Sequence, residues 1–327
     1  MSRCFDGHPL TLSLVHPPTC SPVHPRKDRD VWRKIANYGT YLFVRLLVSI
    51  IQAVSLETAE AAGRWLAFFA CRILRVRHRL VDENLRFAFP ELSPRERDAL
   101  QLRMWNHLML MLIETAHAER KIHMTNWKQH VTLKNEEAPL AAMYDSRPVI
   151  LVVAHLGNFE FAGYILGLIG IPAYTVARTL DNPYLDDYLA TFRHSTGQYI
   201  IPKDHAAGML EEAMGHGKTV AIVADQHAGW KGVWVKSFGR EVSAYKAIPV
   251  LSKAFHAPLA LSSPIREDET LFRFTISVER FLEPDSPEAE AMNVKEMTQF
   301  YNTVYEEMIR RNPEQYWWVH NRWKARG

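Results

Sequence analysis

The run Pro148-Val149-Ile150-Leu151-Val152-Val153-Ala154 is short, β-branched and wholly apolar, and it follows the turn-like Asp145-Ser146-Arg147-Pro148. A segment of that kind folds as a buried strand. What comes next narrows the fold further. His155-Leu156-Gly157-Asn158-Phe159-Glu160 leaves the strand through a Gly-Asn turn, and residues 159–168 are apolar with Glu160 as their only charge. Asn158 is a good N-cap, so a helix begins there. His155 then stands at the carboxyl end of a strand, where open α/β sheets place their sites. A His and a Glu five residues apart are ordinary surface neighbours in many proteins. At the tip of a buried strand, however, an unpaired polar group is costly, so each needs a partner.

From about Val131 onward, strand-like and helix-like segments alternate. Candidate strands cover 149–154, 173–177, 199–201, 220–224, 258–262 and 272–278, with helical segments between most of them. The expected fold class is α/β, with a mostly parallel central sheet flanked by helices. Residues 32–130 read as mainly helical and 131–327 as an α/β catalytic core, together forming one domain. At 327 residues and 47% hydrophobic content the chain can bury a sizeable core.

Residues 1–31 carry Pro9, Pro17, Pro18, Pro22 and Pro25 and lack an apolar stretch long enough for a signal-peptide core, so they read as a disordered leader. Residues 41–56 are strongly apolar but interrupted by Arg45 and Gln52, and fall short of the roughly twenty residues of a clean spanning helix. A membrane anchor and a core helix both fit that segment. Flanking cations, Arg26, Lys27, Arg29, Arg33 and Lys34 before it and Arg72, Arg75, Arg77 and Arg79 after a second apolar helix at 63–74, favour an anionic membrane surface. A third helix opens at Ser93-Pro94-Arg95-Glu96 with capping-box chemistry and buries Met104, Trp105, Leu108, Met111 and Leu112.

Several chemistries are unsupported. The net charge of +3 is too small to argue for nucleic acid, and no nucleic-acid motif is present. Cys4, Cys20 and Cys71 form no CxxC pair. Gly215-His216-Gly217-Lys218-Thr219 resembles the end of a phosphate loop, but Glu212 stands where its first glycine belongs. No GxSxG or HExxH occurs, and Asp225-Gln226-His227 has no partner ligands at metal-like spacing, so neither a metal nor another cofactor is expected. A His with a nearby carboxylate and no amino-acid nucleophile suits direct deprotonation of a substrate hydroxyl, which attacks an activated carbonyl. Glu160 would hold the imidazole in the useful tautomer. Oxyanion donors would come from backbone N–H groups around Gly157 or from an arginine.

Four ordered blocks then resemble the bacterial lipid A biosynthesis acyltransferases. The first is 155–160, a His-x-Gly-Asn-(Trp/Phe)-Glu block; the second is Arg178-Thr179-Leu180-Asp181-Asn182-Pro183. The third is Asp225-Gln226-His227-Ala228-Gly229 with Gly232-Val233-Trp234-Val235 and Ser237-Phe238-Gly239, and the last is the segment 313–324. His227 stands where the family has a third Asp, and Thr179 replaces its Pro. The glycerol-phosphate acyltransferases share the His-and-acid offset, but their Pro-Glu-Gly-Thr-type loop has no counterpart here. The resemblance implies an O-acyltransferase moving a fatty acyl chain from an acyl carrier protein or coenzyme A thioester to a membrane glycolipid such as a lipid A precursor. It places the enzyme at the cytoplasmic face of the inner membrane.

On that reading His155 is the base and Glu160 its partner, Gly157 and Asn158 shape the turn, and Arg178 meets acceptor or transition-state charge unless it is a surface ion pair. Asp225 and Gln226 support the substrate site, with a structural cap as the other reading of Asp225. Trp317, Trp318 and Trp323 with Arg322 and Lys324 fit a lipid interface or core packing equally. The rivals are an acyl thioesterase and a non-catalytic lipid-binding membrane protein.

Overall fold

The computed structural model describes residues 26–203 and 206–324. Helices α1 (Arg26–Ala53), α2 (Leu56–Phe68), α3 (His78–Ala88) and α4 (Pro94–Lys121) come first, and α2 runs on through one π-helical turn at Phe69–Ile73. Strands and helices then alternate as β1 (Val131–Lys134), α5 (Glu137–Tyr144), β2 (Val149–Val153), α6 (Phe159–Leu168), β3 (Ala173–Ala177), α7 (Pro183–His194), β4 (Gln198–Pro202), α8 (Ala206–Gly215) and β5 (Thr219–Val223). A hairpin of β6 (Val233–Ser237) and β7 (Arg240–Ala244) follows, then α9 (Ala247–Phe255), β8 (Leu259–Arg266), β9 (Phe274–Leu282), α10 (Pro287–Ala291) and α11 (Val294–Arg311).

Seven strands form one sheet in the order β1-β9-β8-β2-β5-β3-β4. The pairs β2–β5, β2–β8, β3–β5, β3–β4 and β1–β9 are parallel, and only β8–β9 is antiparallel. The sheet is thus mostly parallel, as the apolar runs imply. β2 shows why. Ile150 and Val152 pack in a core with Met104 and Leu108 of α4 and Val304 and Met308 of α11. Val149, Leu151 and Val153 pack on the opposite face, against Phe159 and Leu166. With both faces buried the strand needs apolar residues at every position, and each such side chain contributes about 1.5–3 kcal/mol.

The helical region depends on its caps and on one uncovered face. α4 begins with the capping box foreseen at Ser93 and Glu96; Met104 and Leu108 are buried and Leu112 is exposed. α1 carries an apolar stretch at Val31–Ala53, 23 residues long, and its most apolar window is not buried at all. One side is nonetheless tied down, since Gln52 donates to Ala116 O at 2.5 Å and Asn182 donates to Asn37 O at 2.8 Å. A core-helix reading of residues 41–56 therefore fails, because none of these residues is buried. The leader expected over 1–31 falls outside the described residues as far as residue 25, and residues 26–31 are helical rather than disordered. β1 and the β6–β7 hairpin have no counterpart among the expected strands, being short and half-buried with weak alternation.

Candidate active site

The site is built where two neighbouring strands end together. β2 and β5 pair in parallel with Val153 opposite Val223, and Ala224 N donates to Val153 O at 2.8 Å. Two residues beyond that rung stand His155 and Asp225, and their side chains meet, Nδ1 to Oδ1, at 2.8 Å. Burial by itself raises the Asp225 carboxyl. The charge and hydrogen bond of His155, together with the Arg322 guanidinium, overcome it and bring the carboxyl down to about 2. Asp225 is therefore an ionised acceptor at neutral pH, and Nδ1 must carry the shared proton. That leaves the lone pair of His155 on Nε2, where the Gln226 amide approaches at 3.2 Å. Phe159 and Trp317 frame the imidazole, with ring centroids 4.8 and 4.9 Å away. The result is an oriented base in a largely apolar setting.

Glu160, expected to orient His155, is not its hydrogen-bond partner. It lies in the first turn of α6 and takes Arg193 of α7 in a two-pronged pair, Nε to Oε2 at 3.0 Å and Nη2 to Oε1 at 2.6 Å. The physical reason is local: the turn at 157–158 starts a helix, and that helix carries Glu160 towards α7. The carboxylate level with the imidazole comes from the adjacent strand instead.

The turn itself is fixed from beneath. Gly157 has φ +65°, and a Cβ there would overlap the carbonyl oxygen of Pro264, so glycine is required twice over. Its N–H donates to Gln315 O at 3.0 Å, and Asn158 N–H donates to Pro264 O at 2.9 Å. Both amides expected as oxyanion donors are thus already engaged. The Asn158 side chain does not cap α6 either; its Nδ2 donates to Glu114 Oε2 at 2.9 Å. Glu114 is fully buried and paired with Arg266 of β8, Nε to Oε1 at 2.7 Å, with a second short contact through Nη2. Arg266 Nη1 donates to His107 Nδ1 at 2.6 Å, so His107 Nε2 is the donor to Gly157 O at 3.3 Å. Burial first, then the Arg266 charge, push the His107 pKa well below its ordinary value, so it stays neutral. The charged members are all paired within this network, and among the described residues Asn158 Oδ1 is the one buried acceptor of the turn left without a partner.

The chain's last described segment straps both strand ends. Trp317 N donates to His155 O at 3.0 Å, and Asn84 donates to Trp318 O at 2.8 Å and to His320 O at 3.0 Å. Arg322, buried, donates to Gln226 O at 2.6 Å and to Asn302 Oδ1 at 2.7 Å. Trp318 is fully buried and stacks on Trp323, so this tryptophan group serves the core and the site rather than a lipid interface.

Arg178 sits just past β3 on the same carboxyl edge of the sheet, but it is highly exposed and paired with Asp181 at 3.1 Å. It makes no described contact with His155. His227 approaches His320 through its backbone N–H at 3.4 Å, and among the described residues no cluster of His, Cys, Asp or Glu is arranged to hold a metal ion. Sequence reasoning passed over Glu114, Arg266, His107 and Arg193. Glu114 did carry a signal: it is the lone charge between Leu108 and Ala116 in an apolar helix face, the same anomaly that drew attention to His155.

The chain is similar to known proteins along most of its length. A family described as bacterial lipid A biosynthesis acyltransferase matches residues 26–325. The chain is 25% identical over 269 residues to a lipid A biosynthesis palmitoleoyltransferase of Escherichia coli (strain K12), a match spanning 81% of this chain and 84% of that protein. It is also 25% identical over 293 residues to the lipid A biosynthesis lauroyltransferase of the same organism, spanning 88% and 92%. A lipid A biosynthesis acyltransferase of Shigella flexneri matches at 25% over 269 residues, with 81% and 84% covered.

Proposed function

The chain belongs to the bacterial lipid A biosynthesis acyltransferase family and is an acyltransferase; on that premise we propose that it moves a fatty acyl group from a thioester to a hydroxyl of a lipid A-type glycolipid. The thioester is that of an acyl carrier protein or of coenzyme A. The reaction takes place at the inner membrane, on its cytoplasmic face, with α1 as the anchor. The observation that carries the mechanism is the 2.8 Å pair of His155 and Asp225.

The acceptor hydroxyl displaces the Gln226 amide from His155 Nε2, which takes its proton as the oxygen attacks the thioester carbonyl. Asp225 stabilises the imidazolium so formed. The tetrahedral intermediate collapses with cleavage of the C–S bond, and the imidazolium returns the proton to the departing sulfur, giving an ester and a free thiol. With the amides of Gly157 and Asn158 engaged, the Gln226 amide is the donor nearest the reacting atoms, and Arg178 at the rim supplies charge to acceptor or oxyanion. Glu160 contributes through Arg193, holding α6 and hence the turn in place.

Purified protein in detergent, given a labelled acyl thioester and a lipid A precursor, tests the reading. A mass increase of the glycolipid by one acyl chain is expected. Free fatty acid alone would make the protein a thioesterase, and neither product would make it a binding protein. Running acyl carrier protein and coenzyme A thioesters side by side identifies the donor. Removal of the residues before Gly63 should shift the protein out of the membrane fraction; unchanged partition would exclude α1 as the anchor.

A further inference from the structure

We infer that the loop joining the π-turn at Phe69–Ile73 to α3 forms a binding site for the phosphate of a membrane lipid, a site separate from His155. A basin of about 500 Å³ is lined by Arg75, Arg77, His78, Arg79 and Leu80. Three arginines line this open depression, and none of the three has a carboxylate partner within ion-pair distance among the described residues. The nearby carboxylates are already engaged: Arg72 holds Asp98, and Arg97 holds Asp82 at 2.9 Å. Asp98 acts on Arg75 and His78 only at longer range, so the basin keeps excess positive charge that an external anion would balance. His78 Nδ1 is also enclosed without a hydrogen-bond partner.

The backbone holds the cations together at a cost. Arg75 and Arg77 both lie in the left-handed region, at φ +49° and +50°, which L-residues with long side chains avoid.

The rim says what kind of anion. Ile73, Leu74 and Val76 alternate with the arginines and are exposed, and Trp65, Leu66 and Phe68 of α2 extend the exposed apolar surface. A soluble anion has no use for that rim, whereas a phosphate at the boundary of headgroup and acyl chains meets cations and apolar side chains together. Only two residues separate α1 from α2, and the basin follows α2 and its π-turn in the chain. Arg77 also donates from Nη1 to Val319 O at 2.9 Å, in the strap that presents Trp317 to His155. A lipid seated there is two residues of strap away from the ring that frames the base. The inference does not rest on the acyl-transfer reading.

The test uses the full chain in neutral detergent, with phosphatidylglycerol, a neutral galactosyl diacylglycerol and inorganic phosphate as probes, read by native mass spectrometry and titration. Phosphatidylglycerol should be retained over the neutral lipid, and the double variant Arg75→Gln with Arg79→Gln should weaken that preference by about tenfold or more, leaving the weaker association of both lipids with α1. Inorganic phosphate at millimolar concentration should not displace the lipid. Leu74→Ser should weaken phosphatidylglycerol without abolishing the preference. Unchanged phosphatidylglycerol preference in the double variant, with its thermal melt intact, overturns the site. Displacement by inorganic phosphate alone would instead make it a general anion site and overturn the lipid assignment.

Discussion

Replacing Asp225 with Asn separates two accounts of the site that differ only in which carboxylate serves His155. The ionised carboxylate lies 2.8 Å from Nδ1, in a fully buried position, with its pKa brought from an ordinary 3.8 to about 2 against the opposing effect of burial. Because burial opposes the shift, that difference is a floor on its coupling to the imidazole and Arg322, about 2 kcal/mol or more. Losing the charge while keeping the shape should therefore slow acyl transfer by about 30-fold or more through a less stable imidazolium. If the new amide turns its NH2 towards Nδ1, the proton moves to Nε2 and the base is lost, and the deficit grows to about 10⁴-fold. The assay is the turnover rate with a labelled acyl thioester, alongside a thermal melt. Glu160→Gln, which weakens the pair with Arg193 and leaves the His155 contact untouched, should cost far less at equal folding. An Asp225→Asn enzyme keeping more than about a tenth of its rate, or a folded Glu160→Gln enzyme losing as much as it, would refute the assignment of the orienting role to Asp225.

Gly157→Ala should destabilise by about 3 kcal/mol or more, because a left-handed alanine adds to an overlap with the Pro264 carbonyl that backbone must move to relieve; a thermal melt near that of the parent would contradict the model of the turn. Glu114→Ala leaves the Arg266 guanidinium buried without its anion and should cost about 3–5 kcal/mol, whereas the double replacement Glu114→Leu with Arg266→Met should recover much of it, measured by denaturant unfolding. Stability should fall in acid in two stages. The His320 pKa is lowered by burial to about 4 from 6.5, so the unfolded chain binds the proton first and stability declines as pH drops between those values. The depressed Asp225 carboxyl adds stability that is fully present above 3.8 and is lost as pH falls towards about 2. A flat unfolding free energy from pH 7 to pH 3 would count against both groups.

The linear pattern reached a good way into this fold and stopped at an identifiable point. Wholly apolar residues at 149–153 specify a strand buried on both faces, Ser93 and Glu96 specify where α4 begins, and a glycine after His155 specifies a turn no other residue makes. All of these are local, since burial period, caps and positive φ are properties of a few consecutive residues. β2 and β5 are apolar on both faces, so hydrophobic pattern leaves their register open; a slip of one residue would still bury apolar side chains. Only the folded sheet sets Val153 against Val223, and with that rung it chooses Asp225, seventy residues away, over the neighbouring Glu160. The same holds beneath the turn, where Glu114 of α4 and Arg266 of β8 meet across 152 residues because each is a buried charge that needs the other. Sequence alone determined that this chain carries an imidazole at the end of a buried strand; tertiary structure decided which carboxylate it leans on.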